Sequence, residues 1–281
     1  MKIGIIGNGF VGKTLLTLNC DDIQVLAYDT NPLLRFPNEN IKMLDLIDCE
    51  IIFISVPTPM NSDGSCHINI ILNVVEELRN LKYNGFMVLR STVPVGTTDK
   101  INLHFMPEFL TEKNFVEDFK HNKNWFFGLL GYEKDEIFKN KITNLFDLAI
   151  SNDKIKNNNI HFIPNSEAEM IKLFRNCFLS IKVSFCNEMA DYCNSKNVDY
   201  DNVRKLACID ERICLSHTAV PGPDGLYGFG GTCFPKDTAS LLFEMNVDNV
   251  KSYILKAAVD RNNTKDRPEQ DWKLDKGRAV I

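Results

Sequence analysis

The chain has 281 residues, 44% of them hydrophobic and 25% charged, with 32 Lys+Arg against 37 Asp+Glu and a formal charge of −5. That balance belongs to an ordinary globular protein of one large or two modest domains. A mild acidic excess spread along the chain argues against nucleic acid or an anionic membrane as the main partner.

No apolar run reaches the roughly 20 residues of a membrane-spanning helix, so no membrane is expected as partner. The stretch Ile3–Ile6 breaks into glycines too soon for a secretory leader. Nine cysteines without metal-ligand spacing read as reduced thiols of a cytoplasmic protein with no metal site.

Lys2–Ile6 predicts a first strand, and Gly7-Asn8-Gly9-Phe10-Val11-Gly12 turns from it into a helix over Val11–Asn19. In such a turn the first glycine permits the tight bend and the second lets backbone approach a pyrophosphate. The third lets the helix pack on the strand. Ile23–Tyr28 predicts the second strand. Asp29 closes it, where a carboxylate accepts both ribose hydroxyls and repels a 2′-phosphate, favouring NAD over NADP.

Strands over Ile51–Val56, Phe86–Arg90, Trp125–Leu130 and His161–Pro164 follow, with helices over Ile70–Leu81 and Lys134–Ile150. Continuous runs such as Ile51-Ile52-Phe53-Ile54 suit strands buried on both faces. The alternation predicts an α/β fold, a Rossmann-type doubly wound and mostly parallel sheet, over residues 1–164.

The pattern changes at Asn165. Ser166–Lys196 predicts one long helix without internal Gly or Pro, too long for a crossover and suited to a backbone between domains or subunits. Further helices are expected at Tyr200–Ala207, Lys236–Met245 and Val250–Arg261, with a Gly/Pro loop at Pro221–Gly231. Residues 165–261 then form a central helical, catalytic and dimerisation domain, and 262–281 a charged, exposed or loosely ordered tail. In that tail Trp272, with Arg267 or Arg278, offers a face for stacking a base and pairing a phosphate as the alternative.

Two clusters carry chemistry. In Gly230-Gly231-Thr232-Cys233-Phe234-Pro235-Lys236-Asp237-Thr238, Pro235 can begin a helix. That places Cys233 near a helix N-terminus, where the dipole favours a thiolate. Lys236 adds positive charge, and Asp237 can orient water or a hydroxyl. On the long helix Lys172 and Asn176 stand four apart and so share a face. A cation and an amide there suit an oxyanion developing at a carbon under oxidation.

Taken together these segments resemble the UDP-glucose/GDP-mannose (nucleotide-sugar) dehydrogenase family. The pieces stand in the family's order: Gly7–Gly12 with Asp29, Val56-Pro57-Thr58-Pro59, Ser91-Thr92-Val93-Pro94-Val95-Gly96-Thr97, and Pro107-Glu108-Phe109-Leu110 with Glu112. Glu167-Ala168-Glu169 leads to Lys172 and Asn176; Asn187-Glu188, Asp210-Glu211-Arg212-Ile213 and Gly230–Thr238 complete the set.

The resemblance implies oxidation of a sugar's primary alcohol to a carboxylate with two NAD⁺, through a thiohemiacetal and a thioester on Cys233. It implies NAD contacts at Gly7, Gly9, Phe10, Val11, Gly12, Asp29, Pro57, Thr58, Thr92 and Lys236, with Lys236 positioning Cys233 or the sugar. Lys172 and Asn176 would stabilise the oxyanions, Asp237 and Thr92 would hold a water, and Glu112 would assist hydrolysis. Glu108, Phe109, Leu110 and Gly230 would contact the substrate. Arg212 would reach the partner subunit's substrate, which implies a homodimer through helix 166–196.

The loop Gly228–Asp237 is closer to members that make UDP-glucuronate from UDP-glucose than to the GDP-mannose or UDP-N-acetylmannosamine branches. A two-electron hydroxyacid dehydrogenase and a truncated, non-catalytic partner of a full-length enzyme are the competing readings. Against the family pattern, the chain ends soon after the central region, and only about twenty residues separate Asp29 from the strand at Ile51.

Overall fold

In the first strand, β1 (Lys2–Ile6), side chains alternate across the sheet. Ile3 and Ile5 enter one apolar cluster and Ile6 the other. A computed structural model describes residues 1–281. It divides into two units, Met1–Thr58 with Ile68–Lys172, and Pro59–His67 with Leu173–Ile281.

The first unit is built on a seven-stranded sheet of order β2-β1-β3-β4-β5-β6-β7. Its strands are β1, β2 (Gln24–Tyr28), β3 (Ile51–Ile54), β4 (Phe86–Leu89), β5 (His104–Phe105), β6 (Trp125–Leu129) and β7 (Ile160–Pro164). All neighbours are parallel except β5 and β6. The strands bury both faces, as the continuous apolar runs require. Ile51 and Phe53 join the cluster under α1 (Phe10–Leu16) and α5 (Lys134–Ser151), where Leu15, Phe138, Ile142 and Phe146 pack. Ile52 and Ile54 join the cluster under α2 (Asn69–Asn80), which presents Ile71, Val75 and Leu78 at helical spacing.

The doubly wound, mostly parallel sheet is therefore as expected, with three additions. β5 has two residues, α3 (Thr97–Ile101) five and α4 (Phe115–Lys120) six. Each is too short to develop a period of its own. Between Asp29 and β3 run only two 3₁₀ turns, Pro32–Leu34 and Met43–Leu46, and a single bridge from Ala27 to Phe36.

α6 (Asn165–Ser195) runs 31 residues. Its first turns belong to the first unit: Asn165 donates to Asp99 and to the Leu103 carbonyl, and Glu169 accepts from the Gly96 and Thr98 amides. From Leu173 onward α6 belongs to the second unit, with α7 (Tyr200–Ala207), α8 (Phe234–Val247) and α9 (Ile254–Arg261). No helix is long and apolar enough to cross a membrane.

The segment 262–281 differs from the loose, exposed tail expected. Trp272 is only 4% exposed and Ala279 is fully buried. Met60 donates to the Ala279 carbonyl and Ile281 to the Met60 carbonyl, so the chain end pairs with the 59–67 segment. Arg267 is buried and bound by Asp224 and Asp271. Trp272 thus has no free face for a base, and Arg267 no open fork for a phosphate. Charge density alone is a poor guide here, because the buried Arg267 is neutralised by the partly exposed Asp224 and Asp271.

Candidate active site

The glycine turn gives each glycine a separate physical task. Gly7 has φ +85°, in the left-handed region, and a Cβ there would lie 2.7 Å from the Ser55 carbonyl oxygen. A Cβ at Gly12 would overlap the Gly7 carbonyl oxygen, so α1 packs this closely only without one. At Gly9 a Cβ would meet nothing within 4 Å. That opening at the C-terminal end of β1 is a cradle a side chain would fill, and it fits a pyrophosphate.

Asp29 Oδ2 accepts the Asn8 amide at 2.7 Å and Oδ1 the Asn31 amide at 2.9 Å, which fixes the carboxylate beside the turn. The next two strand ends are stitched together. Thr58 Oγ1 donates to the Thr92 carbonyl at 2.9 Å and Ser91 Oγ to the Val56 carbonyl at 2.6 Å. The geometry of the turn therefore fits a dinucleotide, which Gly7, Gly9, Phe10, Val11, Gly12 and Asp29 would hold, with Pro57, Thr58 and Thr92 on the adjoining loops. We expect Gly9→Val to fold with unchanged thermal stability and to bind NAD at least about tenfold more weakly. Gly12→Ala should destabilise the fold itself. Calorimetric titration beside a melting curve separates the two.

A buried ion pair lies in the same unit. Lys172 Nζ donates to Glu108 Oε1 at 2.6 Å and to the Glu108 carbonyl at 2.8 Å, with both side chains almost completely covered. Glu108 Oε2 accepts the Leu110 amide at 3.0 Å. Burial alone pushes the Glu108 pKa up. The Lys172 charge and hydrogen bond, the Leu110 amide and the Arg90 charge outweigh it, so the carboxyl sits below its usual range and stays ionised.

Arg90 was not singled out by the sequence, where it reads as the end of a strand. Its guanidinium is 2% exposed and donates to the Val11 carbonyl at 3.0 Å and to Thr14 Oγ1 at 3.1 Å. It thereby ties the dinucleotide helix α1 to the strand that precedes Thr92. Burial pushes it down to about 10, and Glu108 opposes that shift, so it remains a cation. The one available signal was a lone arginine closing the otherwise apolar run Phe86–Leu89.

The thiol lies in the second unit. Cys233 is the N-cap of α8, with Pro235 in the first turn, and it is half-buried. Asp237, 1% exposed, is held from both sides. Lys236 Nζ donates to Oδ1 at 2.5 Å and Asn176 Nδ2 to Oδ2 at 2.6 Å. Burial disfavours the Lys236 cation, yet attraction by Asp237 and Cys233 outweighs it and the ammonium pKa is raised. A fixed cation therefore stands near the sulfur, the setting that favours a thiolate. Other thiols contrast with it: burial pushes Cys49 and Cys177 up to about 12, which leaves them protonated and inert.

The remaining expected residues are placed as follows. Phe109 packs edge-on against Phe126 at 5.9 Å, and Glu112 sits on the exposed turn before α4. Gly230 lies in the loop before Cys233. Arg212 stands on an exposed turn, its guanidinium facing solvent and paired with Asp210.

Comparison with known proteins follows the same division. Residues 34–147 match the NAD-binding domain of the UDP-glucose/GDP-mannose dehydrogenase family, and residues 166–264 match its central domain. The first match begins after the glycine turn and Asp29. The chain is similar to the UDP-glucose 6-dehydrogenase of Pseudomonas aeruginosa, 32% identical over 235 residues that cover 77% of this chain and 49% of the relative. With the Campylobacter jejuni UDP-glucose 6-dehydrogenase it shares 28% identity, covering 93% of this chain and 72% of the relative. The solved structure of a UDP-glucose dehydrogenase from Pyrobaculum islandicum has the same fold, with a TM-score of 0.79 at 23% identity, covering 94% of this chain and 68% of that one. The chain thus spans about half the length of the first of these relatives and about seven tenths of the other two.

Proposed function

The chain belongs to the UDP-glucose/GDP-mannose dehydrogenase family, and on that premise we propose that it oxidises UDP-glucose to UDP-glucuronate in two NAD-dependent steps. The observation that carries the reading is Cys233, half-buried at the head of α8 beside the Lys236–Asp237–Asn176 chain. A two-electron alcohol oxidation needs no such thiol.

NAD, when bound, accepts the hydride at each oxidation. In the first, the alcohol gives up its proton and becomes the aldehyde, with Lys172 donating to the transient alkoxide. The Cys233 sulfur then adds to the aldehyde carbon, and the former carbonyl oxygen takes a proton to form the thiohemiacetal. The second oxidation removes the remaining hydride from that carbon and the hydroxyl proton, leaving a thioester. Water attacks it, the C–S bond breaks, the carboxylate leaves and the sulfur is freed. Asn176 stabilises the tetrahedral oxyanion, Asp237 and Thr92 hold the water, and Glu112 assists its attack. Phe109, Leu110 and Gly230 contact the sugar, and Glu108 joins them as the ionised partner of Lys172.

The same reading makes the protein a homodimer through α6, with Arg212 reaching the partner subunit's substrate. Phe174, Phe178, Phe185 and Tyr192, each more than half exposed, support it, because their spacing of four, seven and seven forms one apolar stripe. Phe178→Glu should shift the protein toward the monomer by light scattering. None of the nine cysteines is joined in a disulfide, which supports a reducing, cytoplasmic setting.

The test is NADH stoichiometry with purified protein and NAD⁺, offered UDP-glucose, UDP-galactose, GDP-mannose and UDP-N-acetylmannosamine in turn. Two NADH per UDP-glucose is the expected result. One NADH would mean a two-electron oxidation, and no NADH with any sugar would leave a binding role in place of catalysis.

A further inference from the structure

Three side chains of the second unit grip the backbone that leads into Cys233. Asn187 Oδ1 accepts the Gly228 amide at 3.2 Å. Asn262 Oδ1 accepts the Phe229 amide at 2.8 Å while its Nδ2 donates to the Phe229 carbonyl at 3.0 Å, a two-point hold on one peptide. Arg267 takes the next residue. Its guanidinium fills the space where a Gly230 Cβ would stand, and any Cβ there would overlap it.

Arg267 is itself locked. It is 3% exposed, with Nη1 donating to Asp224 Oδ2 at 2.8 Å. Nε and Nη2 donate to the two Asp271 oxygens at 2.6 and 2.8 Å, a bidentate fork. A buried, paired cation is a poor stability device compared with an apolar side chain of the same volume. Its rigid planar fork is, however, well suited to holding a neighbour in one place. The two carboxylates come from opposite sides of the loop in sequence, Asp224 before Cys233 and Asp271 after α9, so Arg267 joins the loop to the chain end.

We propose that Arg267 is a positioning residue for the thiol: fixed by Asp224 and Asp271, it sets the Gly230 backbone and thereby the approach of Cys233 to the carbon it attacks. This rests on the reading of Cys233 as the nucleophile. The segment 262–281 then serves the reaction as a brace on the catalytic loop. A displacement of about 1 Å at a nucleophile is enough to cost on the order of 100-fold in rate, so the brace has a large effect without touching substrate.

The experiment compares the full chain with Arg267→Ala, Arg267→Lys and Asp224→Asn. NADH production gives kcat and the KM for NAD. The rate of iodoacetamide alkylation at Cys233 is read by peptide mass spectrometry against the exposed Cys214 as internal reference. Arg267→Ala should lose at least about tenfold in kcat with the KM for NAD unchanged. Its Cys233-to-Cys214 alkylation ratio should change several-fold, and added guanidinium should restore part of both. Arg267→Lys should fall between Arg267→Ala and the parent.

A folded Arg267→Ala protein with parental kcat and an unchanged alkylation ratio would overturn the proposal. If that variant does not fold, Asp224→Asn decides on the same two readings, with a smaller change in the same direction expected and no change counting against. Alkylation of Cys233 that left turnover intact would instead overturn the nucleophile reading, so the two failures are distinguishable.

Discussion

Cys233→Ser should abolish formation of the acid, with a loss on the order of 10³-fold or more in the rate of the second NADH. A serine hydroxyl keeps the N-cap position of α8 and its place beside Lys236, so the fold and dinucleotide binding should be unchanged. What it lacks is the low proton affinity that a cation and a helix N-terminus can turn into a nucleophile near neutral pH. Cys214→Ser provides the control, because Cys214 is exposed and outside the cluster. It should turn over like the parent. Pre-steady-state NADH absorbance, with the product identified by mass, reads both oxidations separately.

Lys172→Met should be the most destabilising single change at the site, at about 3–5 kcal/mol, because it strands the Glu108 carboxylate in a buried setting. The pH dependence follows in sign. Glu108 has its pKa lowered in the folded protein, so the pair stabilises the fold above the ordinary carboxylate pKa. That contribution is lost as pH falls through the lower folded value. Denaturant melts of the parent should therefore lose stability on the acid side of the carboxylate range. In Lys172→Met that acid-side slope should flatten or reverse, since protonation now relieves the stranded charge. The double variant Lys172→Met with Glu108→Leu should recover much of the stability and none of the activity.

Much of this arrangement was legible in the residues, and each miss has its own physical cause. Ile51–Ile54 could be read as a strand buried on both faces because four apolar residues in a row leave no solvent side. The glycine turn could be read because three steric requirements at fixed spacing have few other solutions. His104–Phe105, two residues long and one of them polar, carries no comparable pattern.

The four-residue step from Lys172 to Asn176 gives two side chains one helical face, yet it is silent about partners. Lys172 binds Glu108 and Asn176 binds Asp237, both more than sixty residues away in sequence. Arg90 was missed for the same reason. Its acceptors in α1 lie 76 and 79 residues distant, and only the folded sheet brings them to one crevice. The chain end was misread in the opposite direction. Arg267 and Asp271 look like part of a solvated charge run until their pairing with each other and with the distant Asp224 is seen, and Trp272 then reads as core.

The proposed chemistry turns on a covalent bond between the Cys233 sulfur and the carbon being oxidised. The most direct measurement is acid quench of the protein during turnover with NAD⁺ and UDP-glucose, followed by intact and peptide mass spectrometry. We predict an adduct of the nucleotide sugar on the peptide that contains Cys233, formed before the second NADH and absent from Cys233→Ser. Two NADH per sugar with no adduct at any time, or an adduct on another residue that Cys233→Ser retains, would show that the Cys233 sulfur is not the nucleophile.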